Sequence, residues 1–385
     1  MRDQFLLGDD ITFLNFGSFG ACPKPVFKQY QQFQLELEQE PVQFITVKGL
    51  KYLQESREAL GKYLNADDNN LVFVTNPTFA VNIIAKSFPL KPGDEVLSTN
   101  IEYGSCDRTW NYYCKKAGAV LKRQPIRLPV ESKEDFIRQF SKGISAKTKL
   151  IFISHITSST GIRLPVEEIC VIAKQKGILI FIDGAHAPGQ IPVDLKALDV
   201  DMYTGACHKW MMTPKGSSFL YVKKELQHLF DPLIISWGYE ALFPSEFQFL
   251  DYHQMNGTRD FSAFLTVPHA IDFMKENNWE KVSAKCRKLV KGNAHELCKI
   301  LNTSPISPLT DDFVLQLFSA PIKTSQPEKL KKLLYENYKI EIPVMRQNEN
   351  VYLRYSINAF NTQADLAILF DSLKKIKAET NLIEA

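Results

Sequence analysis

Between residues 71 and 222, short apolar runs rich in β-branched and aromatic residues alternate with stretches of helical periodicity. Leu71–Thr75 (LVFVT), Glu95–Ser98, Lys149–Ser154 (KLIFIS) and Ile178–Asp183 (ILIFID) read as strands, with Asp201–Thr204 and Ser218–Val222 as two more. Helices are predicted over Thr78–Ser87, Trp110–Ala117 and Val166–Lys176. A run that is apolar at every position has no face to offer water. It belongs in a parallel sheet covered by helices on both sides and wound with right-handed crossovers. The spacing therefore predicts an α/β architecture. Upstream, Pro25–Glu40 reads as an exposed helix, and Lys51–Leu64 as a helix that stops at the polar run 65–70. Residues 266–385 carry longer helices and a βαβ-like tail, so they predict a smaller α+β unit. A chain of 385 residues is long enough for two such cores.

Composition narrows the function classes. A net charge of +3 on a chain of this size offers no basis for binding nucleic acid or an anionic membrane. No stretch reaches the run of about eighteen apolar residues that a membrane span needs. The opening MRDQFLLGDDITFLNFG lacks the form of a signal peptide, because Asp9 and Asp10 interrupt it. Seven scattered cysteines without a CxxC pair predict free thiols in a reducing cytoplasm and no metal site.

In open α/β sheets, ligands sit beyond the carboxyl ends of the strands, and the chemistry-bearing residues fall there. Asp183 ends a strand in FIDGAHAPG; it suits either a helix N-cap or an acid partner for a cationic ring nitrogen. Lys209, in TGACHKW, lies among small and apolar residues. Desolvation would make it a nucleophilic amine, and a snorkelling surface lysine is the alternative. Thr75-Asn76-Pro77-Thr78 combines an N-cap with a proline at the first helical position. It makes either a plain helix start or a phosphate seat. Neither GxGxxG nor GxxxxGK[ST] occurs, so dinucleotide and P-loop sites lack their fingerprints. Arg354, alone in the apolar VYLRYS, wants a carboxylate, from a substrate or from an internal Asp or Glu.

Taken in order, these motifs resemble the class V aminotransferases, which are fold-type I pyridoxal 5′-phosphate (PLP) enzymes. Within them, the isopenicillin N epimerase-like branch is the most similar. The resemblance runs from Leu14–Ser18 to 353–362. It rests on PVQF (41–44), IEYG (101–104), SHITSSTG (154–161), FIDGAHAPG (181–189), TGACHKW (204–210), NGTRD (256–260), IEIPV (340–344) and LRYSINAFNT (353–362). It implies a large domain over 20–265, with a mostly parallel seven-stranded sheet flanked by helices. The small domain would combine residues 1–19 with 266–385. It implies PLP held as an imine on Lys209, with Asp183 on the ring nitrogen and His186 and Ser158 near the phenolic oxygen. Tyr103 would stack on the ring, where relatives often have His. Asn76, Pro77, Thr78 and His208 would surround the phosphate. Thr258 would reach the cofactor of a partner subunit in a homodimer, and Arg354 with Asn15 would receive an amino-acid carboxylate.

Three departures bear on this. Pro77 supplies no N–H, Ala206 stands where many relatives place a phosphate-binding Ser or Thr, and no cysteine follows Cys298. Desulfurases of this family carry a persulfide cysteine in that last region, so the resemblance implies chemistry at Cα other than theirs. Epimerisation or transamination is the first expectation and C–S or β-lysis the second. A cofactor-less binding protein is the non-enzymatic alternative, opposed by the joint presence of Lys209 and Asp183.

Overall fold

The computed structural model describes residues 1–384. After the short strand β1 (Thr12–Phe13), seven strands form the central sheet. They are β2 (Leu71–Val74), β3 (Glu95–Thr99), β4 (Val120–Gln124), β5 (Thr148–Ser154), β6 (Leu179–Asp183), β7 (Met202–Ala206) and β8 (Ser218–Val222), in the order β2-β8-β7-β6-β5-β3-β4. Every pair from β7 to β4 is parallel, and β8 is antiparallel to both its neighbours.

Alternation along β5 shows why these runs had to be buried on both faces. Ile151 and Ile153 enter one apolar cluster, and Leu150 and Phe152 enter another on the opposite side. Each such side chain contributes about 1.5–3 kcal/mol on burial. The edge strand β4 was not anticipated. Its sequence, VLKRQ, is half polar and buries only Leu121.

The last part of the chain builds a three-stranded antiparallel sheet from β9 (Leu317–Pro321), β11 (Val344–Gln347) and β12 (Asn350–Ser356), in the order β11-β12-β9. The tail is therefore not a βαβ unit. The helix Pro327–Tyr338 leads from β9 into the two-residue β10 (Ile340–Glu341), which pairs in parallel with β1 instead. This stitches the N-terminus to the C-terminal sheet. Gly17 N donates to Ser356 Oγ at 3.0 Å, and Asn361 Nδ2 donates to Phe13 O at 2.9 Å. Among the described residues, no helix is long and apolar enough to cross a membrane, and no group of three or more His, Cys, Asp or Glu could hold a metal ion.

Candidate active site

The carboxyl ends of β2, β3, β5, β6 and β7 converge on one cavity of about 390 Å³. Nine of the twelve residues singled out from sequence line it. Asn76, Pro77 and Thr78 follow β2, Tyr103 follows β3, Ser158 follows β5, Asp183 and His186 lie at the end of β6, and His208 and Lys209 follow β7. Ser18 and Phe19, from the N-terminal segment, close one side. A wider groove of about 690 Å³ near Lys62, Asp68 and Lys196 contains none of the nine.

Gly20 makes the closure possible. Its φ of +66° is left-handed, and a Cβ there would stand 2.3 Å from the His208 carbonyl oxygen. Only glycine lets the N-terminal segment lie this close to the backbone that carries Lys209.

The Lys209 Nζ lies 3.3 Å from His186 Nε2. Burial lowers its pKa to about 8, with Asp183 opposing and Arg354 reinforcing that change. The alternative of a snorkelling surface lysine does not hold, because this amine points inward. Asp183 is buried, and that burial raises its pKa, while the Ala185 N–H, Lys209 and the Cys106 thiol lower it. Its Oδ1 accepts from Ala185 N at 3.0 Å, and its Oδ2 accepts from Cys106 Sγ at 3.5 Å. No helix follows Asp183, so the N-cap alternative reduces to one local turn bond.

His186 is pushed well below the usual histidine pKa, first by burial, then by Lys209 and Arg354, and last by the His208 imidazole. Glu102, behind the cavity, accepts from Thr99 Oγ1 at 2.7 Å and from the Ser154 amide and hydroxyl; burial raises it to about 7.

At the other end of the cavity, Asn76 Oδ1 accepts from Phe79 N at 2.9 Å and caps the helix Pro77–Ser87. The start of that helix, with its positive dipole end, faces the cavity. The Thr78 hydroxyl lies 3.3 Å from the Ser105 hydroxyl. His208 Nδ1 is 2.8 Å from the Ser217 carbonyl oxygen, which can only accept, so this nitrogen carries a proton. Burial lowers the His208 pKa to about 4.

The other three sequence candidates lie outside the cavity wall. Arg354, 1% exposed, sits directly behind it. Its NH1 donates to Ser158 O at 2.5 Å and its NH2 donates to Ser18 Oγ at 3.3 Å, while Nε has no partner. No carboxylate of the described residues comes within ion-pair distance of it, which removes the internal-bridge alternative. Asn15 lies one layer back, where its Oδ1 accepts from Ser18 Oγ. Thr258 is exposed and lines no part of the cavity.

Sequence reasoning placed Glu102 beside Tyr103 at a strand end but gave it no role, and it gave none to Cys106 or Trp210. Apart from Thr99 beside Glu102, their partners are distant in sequence, and no local pattern marks them.

The model of the family described as Aminotransferase class-V matches residues 20–369. The chain belongs to the class V aminotransferase family. This is a PLP-dependent family of enzymes. An isopenicillin N epimerase of Amycolatopsis lactamdurans is 31% identical over 97% of this chain and 97% of its own length. A hercynylcysteine sulfoxide lyase of Schizosaccharomyces pombe is 26% identical over 97% of this chain and 96% of its own. Among solved structures, an apo cysteine desulfurase from Thermococcus onnurineus NA1 superposes with a TM-score of 0.83 at 20% identity, covering 97% of this chain and 96% of that one. The fold of the class V member is thus the fold-type I arrangement expected from sequence.

The residues present fit the cofactor of that family. An inward-facing amine, a buried carboxylate lacking a firm cation partner, and a capped helix start line one cavity of small-molecule size.

Proposed function

We propose that this class V member acts at Cα of an amino acid, with Lys209 as the amine that carries PLP. The reading rests above all on a buried guanidinium without an anion, Arg354, set beside an amine whose pKa is lowered to about 8. An uncompensated buried cation is costly, and a substrate carboxylate would compensate it. Asn15 would support that carboxylate through Ser18.

When bound, the cofactor supplies a protonated pyridine ring that withdraws electrons from Cα. Asp183 would hold the proton on the ring nitrogen. His186 and Ser158 would bind the phenolic oxygen, and Tyr103 would stack on the ring face. The helix start at Asn76–Thr78, together with His208, would bind the phosphate. With its lowered pKa, the Lys209 Nζ is suited to take the Cα proton and return it near neutral pH. By holding the carboxylate, Arg354 would set the Cα–H bond perpendicular to the ring, which is catalysis by orientation.

The proposed protein is a cytoplasmic homodimer, with residues 20–265 as the large domain and 1–19 plus 266–385 as the small one, and two details support the dimer. Thr258 is exposed and lines no part of its own cavity, which leaves it free to serve a partner's. The preceding segment exposes Ile235, Trp237, Leu242 and Phe243, the last 95% exposed. An apolar surface of this kind on a monomer marks an interface, and a second copy with closed twofold symmetry would cover it.

Epimerisation or transamination is the favoured reaction. A C–S lyase is the second reading, supported by the sulfoxide lyase among the relatives. The experiment is a panel of L- and D-amino acids in deuterated water. Deuterium at Cα with inverted configuration identifies an epimerase and keto acid an aminotransferase. Pyruvate with ammonia from a sulfur amino acid identifies a lyase. No turnover and no deuterium uptake with any substrate would overturn the proposal.

A further inference from the structure

The two histidines of the cavity are held in opposite tautomers, and the partner that fixes His186 has no part in the roles assigned above. Trp210 Nε1 lies 3.2 Å from His186 Nδ1. An indole N–H can only donate, so Nδ1 must present its lone pair. A neutral imidazole then carries its proton on Nε2, the nitrogen that faces the Lys209 Nζ. Protonating Nδ1 would set one N–H against another.

The indole is fixed in turn. Its ring packs on Phe16 with centroids 4.9 Å apart, and the Trp210 side chain is fully buried. Gly189, with φ +94°, lets the turn after His186 lie against the Trp210 carbonyl, where a Cβ would come within 2.2 Å. Gln190 Nε2 donates to His186 O at 2.7 Å and holds the histidine backbone.

We propose that Trp210 is a positioning residue that locks His186 as the Nε2–H tautomer and so keeps a hydrogen-bond donor aimed at Lys209 and the cavity. An ammonium has no lone pair, so only the free amine of Lys209 can accept from that donor. Trp210 thereby selects the nucleophilic form of a lysine it does not touch. Other titratable groups acting on His186 are Arg354 and His208, which also oppose its protonation. The part of this that concerns Lys209 reactivity rests on the function proposed above; the tautomer itself does not.

The test uses cofactor-free protein labelled with ¹⁵N-histidine. Two variants are compared with wild type. One is Trp210→Phe. The other places benzothienylalanine at position 210, which swaps the indole N–H for sulfur and keeps its shape, so loss of packing is controlled. Wild type should show a pyridine-type Nδ1 and a pyrrole-type Nε2 on His186 from pH 5 to 8. Both variants should show tautomer exchange. With Nε2 then free to accept from the Lys209 ammonium, the pH profile of borohydride-trapped PLP at Lys209 should rise by about one pH unit, a tenfold slower capture near neutrality.

A protonated Nδ1 in wild type, or an unchanged tautomer and capture profile in the sulfur variant, would overturn the proposal. Absence of any trapped cofactor in wild type would instead overturn the cofactor role of Lys209 and leave the tautomer result standing.

Discussion

Lys209 should destabilise the protein that carries it, and the cost can be worked out. Burial holds its pKa at about 8, against 10.5 for an ordinary lysine. At 1.36 kcal/mol per pH unit, that gap amounts to about 3 kcal/mol. The unfolded chain binds the proton more tightly than the native one, so stability is reduced in full below pH 8, and the deficit fades as pH rises from 8 towards 10.5. Lys209→Met keeps an unbranched side chain, one atom shorter, and removes the charge. Cofactor-free Lys209→Met should therefore exceed cofactor-free wild type in stability by about 3 kcal/mol at pH 7 and by only about 1 kcal/mol at pH 9.5. Urea unfolding of both proteins at the two pH values, followed by far-UV circular dichroism, measures this. Equal midpoints at pH 7, or a Met advantage that grows with pH, would refute the idea that desolvation tunes this amine. A gain in stability from deleting the central residue of a site is the expected sign of a group kept for chemistry.

Two further outcomes are expected. Arg354→Ala should raise the apparent KM for amino acids by about 10²-fold or more, as loss of a charge-assisted carboxylate bond of about 3 kcal/mol implies. Spectrophotometric titration of the PLP-loaded protein should show cofactor content unchanged, and an unaltered KM would remove the arginine from substrate binding. Leu242→Asp combined with Phe243→Asp should turn a dimer into a monomer in sedimentation velocity. It should also weaken PLP retention if Thr258 serves the partner's phosphate; a double variant that stays dimeric would place the interface elsewhere.

The site was legible in sequence wherever a residue's chemistry conflicted with its surroundings. A carboxylate ending ILIFID, a lysine inside TGACHKW and an arginine inside VYLRYS each stood out against apolar neighbours, and the fold brings the three together. The helix Gly104–Ala117 was read from Trp110 only, because Gly-Ser-Cys-Asp at its start shows no apolar period. Strand β4 escaped for the opposite reason: an edge strand needs little apolar content, and its register comes from β3 alone. The Trp210–His186 pair and the Cys106–Asp183 contact span 24 and 77 residues. Such contacts are decided by how the strands stack, which no local pattern reports.

The pairing of β1 with β10, and of Gly17 with Ser356, also orders the way the pocket comes into being during synthesis. Cys106, Asp183, His186 and Lys209 have all left the ribosome while the strand bearing Arg354 is still unmade. A nascent chain at that stage would hold the lysine and acid but lack the arginine proposed to grip an amino acid, while Thr12, Phe13 and Gly17 still await their partners. On the proposed role of Arg354, substrate recognition waits for the strand Asn350–Ser356.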